Sequence, residues 1–134
     1  QIERAIFRFL NSCDPSAMNE ALKILVVDDD ESERIAIHQG LQQAGVNLQT
    51  WVEVETCEAA IAALEADEND PFDCAIIDYQ LRDGNGLALL RQIRDRRFPT
   101  GLIAMTEQDD ANLAVELIKA GANDHVLKSQ LAPR

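Results

Sequence analysis

The chain has 134 residues, enough for one domain around one core and too few for two ordinary ones. Its 24 Asp and Glu against 12 Lys and Arg leave a formal charge of −12, which opposes direct binding to nucleic acid or to an anionic membrane surface and favours a cation or a protein partner. No apolar stretch is long enough to cross a bilayer, and Cys13, Cys57 and Cys74 are odd in number and lack zinc-ligand spacing, so free thiols and a cytoplasmic setting are expected.

Residues 1–20 read as an N-terminal helix and linker. Ile2, Ile6, Phe9 and Leu10 form an apolar stripe, with Glu3, Arg4 and Arg8 off it. The start Gln1-Ile2-Glu3-Arg4 resembles neither a signal peptide nor an initiation site, which points to an excised fragment. Residues 21–134 read as the main domain. A strand at 22–27 is followed by a helix over 31–44 with Ile37, Leu41 and Ala44 on one face, stopped by Gly45. A second strand spans 48–54. Thr56 then caps a helix carrying Cys57, Ala60, Ile61 and Leu64, which breaks at Asn69-Asp70-Pro71. The third strand ends at Asp78. A loop over 80–86 leads to a helix with Leu87, Leu90 and Ile93, and Pro99 separates it from a strand over 101–105. The next helix is expected to turn Ala111, Val115 and Ile118 inward and to end at Gly121, before a fifth strand over 125–128. His38 is read as a solvated face residue. The cluster Arg91, Arg94, Arg96 and Arg97 is read as pairing with nearby acids such as Asp95.

This alternation gives an α/β fold, a doubly wound five-stranded parallel sheet covered on both sides. Only residues 129–134 follow the fifth strand, so the last crossover helix has no sequence in the expected place. The helix at 1–10 is the candidate to fill that slot, with residues 11–20 as the connection and Gln1 beside Arg134. A tandem array of similar domains or a circular order would give such a leader. A plain linker helix is the bland reading.

Open α/β sheets bind ligands at the carboxyl ends of their strands. Asp28 and Asp29, Asp78, Thr106 and Lys128 all stand there, each after a short apolar run. Carboxylates ~4 Å apart repel by about 4 kcal/mol at an effective dielectric of ~20, so the cluster needs a cation, and an oxygen-only donor set suits Mg²⁺. A carboxylate nucleophile, an ammonium and a hydroxyl then supply what in-line phosphoryl transfer needs. Taken alone, Asp28-Asp29-Asp30-Glu31 is equally a helix-capping run.

In combination, residues 22–131 resemble a response-regulator receiver domain, the phosphoacceptor domain of two-component signalling. Val26-Val27-Asp28-Asp29 matches that family's acidic pair, and Ile76-Ile77-Asp78-Tyr79-Gln80-Leu81 with Asp83-Gly84-Asn85-Gly86 matches its phosphoacceptor segment. Met105-Thr106 matches the hydroxyl position, and Val126-Leu127-Lys128 the lysine. The resemblance implies a flavodoxin-like sheet of order 2-1-3-4-5. It implies Asp78 as phosphoacceptor served by Thr106 and Lys128, and Mg²⁺ held by Asp28, Asp29, Asp78 and the Gln80 backbone carbonyl. Thr106 and His125 take the positions of the family's conformational switch. The implied donor is a histidine kinase or phosphotransfer protein. The implied reader is a downstream protein or a neighbouring domain of the same parent chain, a hybrid histidine kinase or multi-receiver regulator among the candidates. Two dimers are open: one through the face of the 111–121 helix and the fifth strand, one by a swapped N-terminal helix. As an isolated domain it is expected to catalyse only its own phosphorylation and dephosphorylation.

The departures are specific. Glu107 follows the hydroxyl where the family usually has a small residue, putting a modulating charge near the incoming phosphate. Ser129 replaces a usual proline, His125 a usual Tyr or Phe, and Arg82 a common proline. An imidazole at 125 would couple the switch to pH. Two alternatives stay open at this point: a degenerate receiver used as a docking surface, supported by Glu107, and a phosphatase of the haloacid-dehalogenase kind, whose nucleophile motif Asp28-x-Asp30 resembles.

Overall fold

The computed structural model describes residues 2–9 and 21–131. Helix α1 spans Ile2–Phe9, followed by β1 (Leu22–Val27), α2 (Glu31–Gln43), β2 (Leu48–Val54), α3 (Cys57–Ala66) and β3 (Cys74–Asp78). A two-residue hairpin, β4 (Gln80–Leu81) and β5 (Gly84–Asn85), precedes α4 (Gly86–Asp95), β6 (Gly101–Thr106), α5 (Ala111–Lys119), β7 (Asp124–Leu127) and a 3₁₀ turn at Lys128–Leu131. Five strands pair in parallel in the order β2-β1-β3-β6-β7. That is the expected doubly wound sheet, with order 2-1-3-4-5 when only its own strands are counted. The small antiparallel hairpin is an addition that the sequence pattern did not show.

Helices α2 to α5 each start where a polar side chain accepts an otherwise unpaired backbone N–H. Asp30 caps α2, Thr56 α3, Asn85 α4 and Asp110 α5. Gly45, in the left-handed region at φ 84°, turns the chain out of α2. Alternation along the central strands sends side chains to two cores. Leu25 and Val27 face the layer with α3, α4 and α5, whereas Ile24 and Val26 face the layer with α1 and α2. Ile2, Ala5 and Ile6 of α1 are buried in that second core with Ile37, Leu41, Ile103, Met105 and Val126. Helix α1 therefore lies along β6 and β7, beside α2. The side chain of Phe9, residue Leu10, the 11–20 connection, the Gln1–Arg134 proximity and Cys13 fall outside the described residues. Cys57 and Cys74 are free thiols, pushed up by burial first, Cys57 to about 11.

Three local expectations are corrected. Ala111, Val115 and Ile118 are exposed, and α5 instead buries Leu117 with Leu113 and Ala114 half-buried beside it. Two apolar stripes share this helix, and the one carrying two leucines removes more apolar area from water. His38 is half-buried rather than solvated, its ring edge-on to Trp51 at 4.7 Å between centroids. The arginine cluster divides. Arg96 pairs with Glu65 at 2.6 Å, whereas Arg94 turns to backbone and amide oxygens.

Arg94 holds together the amino-terminal edge of the sheet, opposite the strand ends that carry the acids. Its guanidinium donates to Gly121 O at 2.9 and 3.1 Å, to Thr100 O at 2.9 Å, to Phe98 O at 3.2 Å and to Asn123 Oδ1 at 3.0 Å. Asn123 Oδ1 in turn accepts from Leu102 N at 2.8 Å. One rigid fork thus ties α4 to the entries of β6 and β7. Arg94→Ala leaves several of these acceptors without a donor and should cost roughly 2–4 kcal/mol of stability in urea unfolding. Arg94→Lys should recover only a small part, and full recovery would assign the stability to charge alone.

Candidate functional site

Strand register decides which polar residues meet. Val27 is level with Ile77, and Ile77 with Ala104, so Asp28 and Asp78, each one residue further on, emerge at the same height. Thr106 is level with Leu127, which places Lys128 one step past the hydroxyl on the neighbouring strand. Asp28 N donates to Val54 O at 3.0 Å and Tyr79 N to Met105 O at 2.8 Å, carrying the ladders to the rim. Gly86 passes so close beneath that a Cβ there would stand 2.8 Å from Asp78 O, and its N donates to Tyr79 O at 2.6 Å. Only glycine fits this approach.

The result is a cleft of about 210 Å³ lined by Asp29, Asp30, Glu33, Asp78, Gln80, Leu81, Glu107 and Lys128, with Asp28 buried behind it. Carboxylate oxygens of Asp28, Asp29 and Asp78 lie within 4.8 Å of one another. Lys128 Nζ is 2.9 Å from Asp78 Oδ1 and 2.9 Å from Glu33 Oε2, and it donates to Glu33 Oε1 at 3.2 Å. Glu107 Oε1 stands 3.9 Å from the same amine, with a side chain 62% exposed at the rim. The Thr106 hydroxyl is buried, 2.7 Å from His125 Nε2 and 3.2 Å from Gln108 O.

Burial sets the protonation of this cluster. It pushes the Asp28 carboxyl up to about 8, helped by the Glu33 carboxyl and by Asp78 and opposed by the Asp30 N–H that donates to Asp28 Oδ1 at 2.9 Å. Burial also raises Asp78, while Lys128 and the Gln80 N–H, 3.3 Å from Oδ1, pull it back. For Lys128, burial works against the ammonium, yet Glu33 and Asp78 outweigh it and hold the group above its ordinary range. The other carboxylate oxygen of Asp28, Oδ2, is buried and meets no donor among the described residues. A buried carboxylate oxygen without a partner, beside two further carboxylates, fits a hard cation.

Four of the five residues singled out from the sequence, Asp28, Asp29, Asp78 and Lys128, meet, and Gln80 joins the lining. Thr106 ends the neighbouring strand at the same edge, with its hydroxyl turned to His125 and Gln108. The acidic run divides its duties. Asp30 accepts from Ser32 N and Oγ at 2.9 and 2.7 Å as the α2 cap, which removes it from the Asp28-x-Asp30 phosphatase arrangement. Two contributors were missed. Glu33 looks like the fourth member of an Asp-x-x-Glu capping box, but the Asp30 N–H it would serve already donates to Asp28, so Glu33 turns to Lys128. Arg34 donates to Asp28 O at 2.7 Å and pairs with Glu53 at 2.7 Å, fixing the backbone behind the cluster. Its spacing of six from Asp28 carries no signal in the linear chain.

A parallel α/β sheet whose carboxyl edge gathers three acids, a threonine and a lysine defines a receiver-type signalling module. The family model described as response regulator receiver domain matches residues 24–133, and the chain belongs to that family of two-component signalling domains. It is 33% identical over 105 residues to the DNA-binding transcriptional regulator NtrC of Escherichia coli (strain K12), covering 78% of this chain and 21% of that one. To the acid tolerance regulatory protein ActR of Rhizobium meliloti (strain 1021) it is 28% identical over 118 residues, covering 88% and 58%. The receiver domain of the putative Luxo repressor from Vibrio parahaemolyticus superposes with a TM-score of 0.69 at 28% identity, covering 84% of this chain and 85% of that one. The chain spans from about a fifth to about three fifths of the curated relatives it matches. Among the described residues no helix is long and apolar enough to cross a membrane.

The Asp28 shift has a measurable sign. An acid whose pKa rises on folding stabilises the fold fully below its ordinary value of 3.8, and that stabilisation is lost as pH climbs through about 8. Freed of divalent cations, Asp28→Asn should therefore melt higher than the parent, by ~2–6 °C at the alkaline end, with the gap shrinking towards acid pH. A gap that does not change with pH would remove Asp28 as its source.

Proposed function

We propose that Asp78 is the phosphoacceptor of a receiver module, taking a phosphoryl group from a phosphohistidine of a kinase or phosphotransfer protein. The observation that carries this is the Lys128 Nζ–Asp78 Oδ1 contact of 2.9 Å at a shared strand edge, next to a buried, unpartnered Asp28 oxygen. Asp28, Asp29, Asp78 and the Gln80 backbone carbonyl would hold Mg²⁺, whose charge would offset the acids and the oxygens of the transferred group. Lys128 favours the ionised form of Asp78 against the effect of burial and holds it in place. A carboxylate oxygen of Asp78 bonds to phosphorus as the phosphorus–nitrogen bond of the donor breaks. Lys128 then donates to one equatorial oxygen and the Thr106 hydroxyl to another.

Thr106 has one proton to give. Donating it to a phosphoryl oxygen takes it from Gln108 O, or from His125 Nε2 in the tautomer where that nitrogen accepts, and in that tautomer modification of Asp78 alters the hydrogen bond that holds His125 on β7. That is how the site would reach a surface that a neighbouring domain, a downstream protein or a second copy reads. A cytoplasmic module of a longer regulator or hybrid kinase fits the relatives' lengths.

Acetyl phosphate with Mg²⁺ should add one phosphoryl mass to the intact protein. Asp78→Ala should abolish the gain, and label that persists in this variant defeats the assignment. Chelating the metal should also suppress it.

The packing of Ile2, Ala5 and Ile6 supports α1 as the helix that covers β6 and β7 beside α2. Ile6→Ala should then destabilise the whole domain by roughly 2–4 kcal/mol in a single cooperative transition. A separate early transition, with the sheet unaffected, would make α1 an appendage.

A further inference from the structure

We propose that Glu33 is a positioning and specificity-determining residue for phosphoryl transfer: its carboxylate competes with the incoming phosphoryl group for the Lys128 ammonium and selects against small anionic donors. The inference rests on Asp78 being the acceptor. An ammonium has three N–H donors. In this site Asp78 Oδ1 takes one at 2.9 Å and Glu33 takes another at 3.2 Å, with its second oxygen 2.9 Å away. Glu107 Oε1, at 3.9 Å, faces what remains.

Glu33 faces two groups in the pocket, the Lys128 ammonium and the Asp28 carboxyl that it helps to raise. The helix cap it could complete is already served, because Asp30 N donates to Asp28. Its Oε2 is buried and meets no hydrogen-bond donor among the described residues, with the ion pair to Lys128 as its compensation. A phosphoryl group entering over Asp78 must draw on the same amine, which stays flanked by Glu33 and Glu107. Divalent cation would offset the three aspartates, and Glu33 remains an additional charge beside the amine.

The consequence depends on the charge of the donor. A phosphorylated protein histidine brings docking contacts of its own, which outweigh repulsion within the pocket. Acetyl phosphate, a dianion near neutral pH, has only its phosphoryl group to hold it. Phosphoramidate, a monoanion, meets less repulsion. In the first reaction the phosphorus–oxygen bond to acetate breaks and acetate leaves. In the second the phosphorus–nitrogen bond breaks and ammonia leaves. In both, a carboxylate oxygen of Asp78 gains the phosphoryl group.

Glu33→Gln keeps the shape and one acceptor for Lys128 while removing the charge. At fixed Mg²⁺ and ionic strength, it should lower the half-saturating concentration of acetyl phosphate by about tenfold, the worth of one charge-assisted contact. For phosphoramidate the fall should be clearly smaller, and Glu33→Asp, which keeps the charge, should retain the parent's bias between the donors. A purely structural role would move both donors equally. Phosphorylation on Asp78 with unchanged or equally shifted half-saturation overturns the role of Glu33 and leaves the acceptor assignment standing. Label that survives Asp78→Ala, or its absence in parent and variant alike, overturns the acceptor assignment itself.

Discussion

The site depends on one ammonium. Lys128 stands within ion-pair distance of Asp78, Glu33 and Glu107, and behind Asp78 lie Asp28 and Asp29. With one cation among so many acids, protonation must absorb part of the strain, and burial makes Asp28 the group that takes the proton. The fold consequently holds these acids at close range against their mutual repulsion.

The two edges of the sheet show opposite solutions to burying polar groups. At the amino edge Arg94 meets carbonyl and amide oxygens in a fully engaged fork, which fixes α4, β6 and β7 relative to one another. At the carboxyl edge the acids outnumber their donors, and Asp28 Oδ2 and Glu33 Oε2 meet no hydrogen-bond donor among the described residues. Satisfied networks rigidify, and a buried polar group left unpaired is costly. Strand register brings Asp28, Asp78, Thr106 and Lys128 to one end of the sheet, and Arg34 fixes the backbone at Asp28.

The parts legible in the sequence are those set by period and position. Short apolar runs ending in Asp28, Asp78, Thr106 and Lys128 gave the parallel sheet, and a sheet with a common edge forces those residues together. Hidden from that reading were side chains with two competing uses. Glu33 satisfies a capping pattern as well as it satisfies Lys128, and only the coordinates show that the Asp30 N–H is already taken. Helix α5 carries two apolar stripes, and its sequence alone does not say that Leu117 rather than Val115 turns inward. Arg94 sits among other arginines, and its acceptors are carbonyls, which every residue supplies and no sequence pattern marks.

The Thr106–His125 hydrogen bond links the two halves of this picture. The hydroxyl is buried at the end of β6, while the imidazole belongs to β7, the strand against which α1 packs. On the proposed reading, one proton on Thr106 Oγ1 is shared between the chemistry of Asp78 and the position of His125. Where an aromatic switch without an acceptor would respond to space alone, an imidazole responds to the direction of that proton. On that reading, and with His125 Nε2 as the acceptor, the pull of a phosphoryl oxygen would reach β7 as a lost hydrogen bond. Its first consequence would fall on the core shared by Met105, Val126 and the α1 residues Ile2 and Ile6.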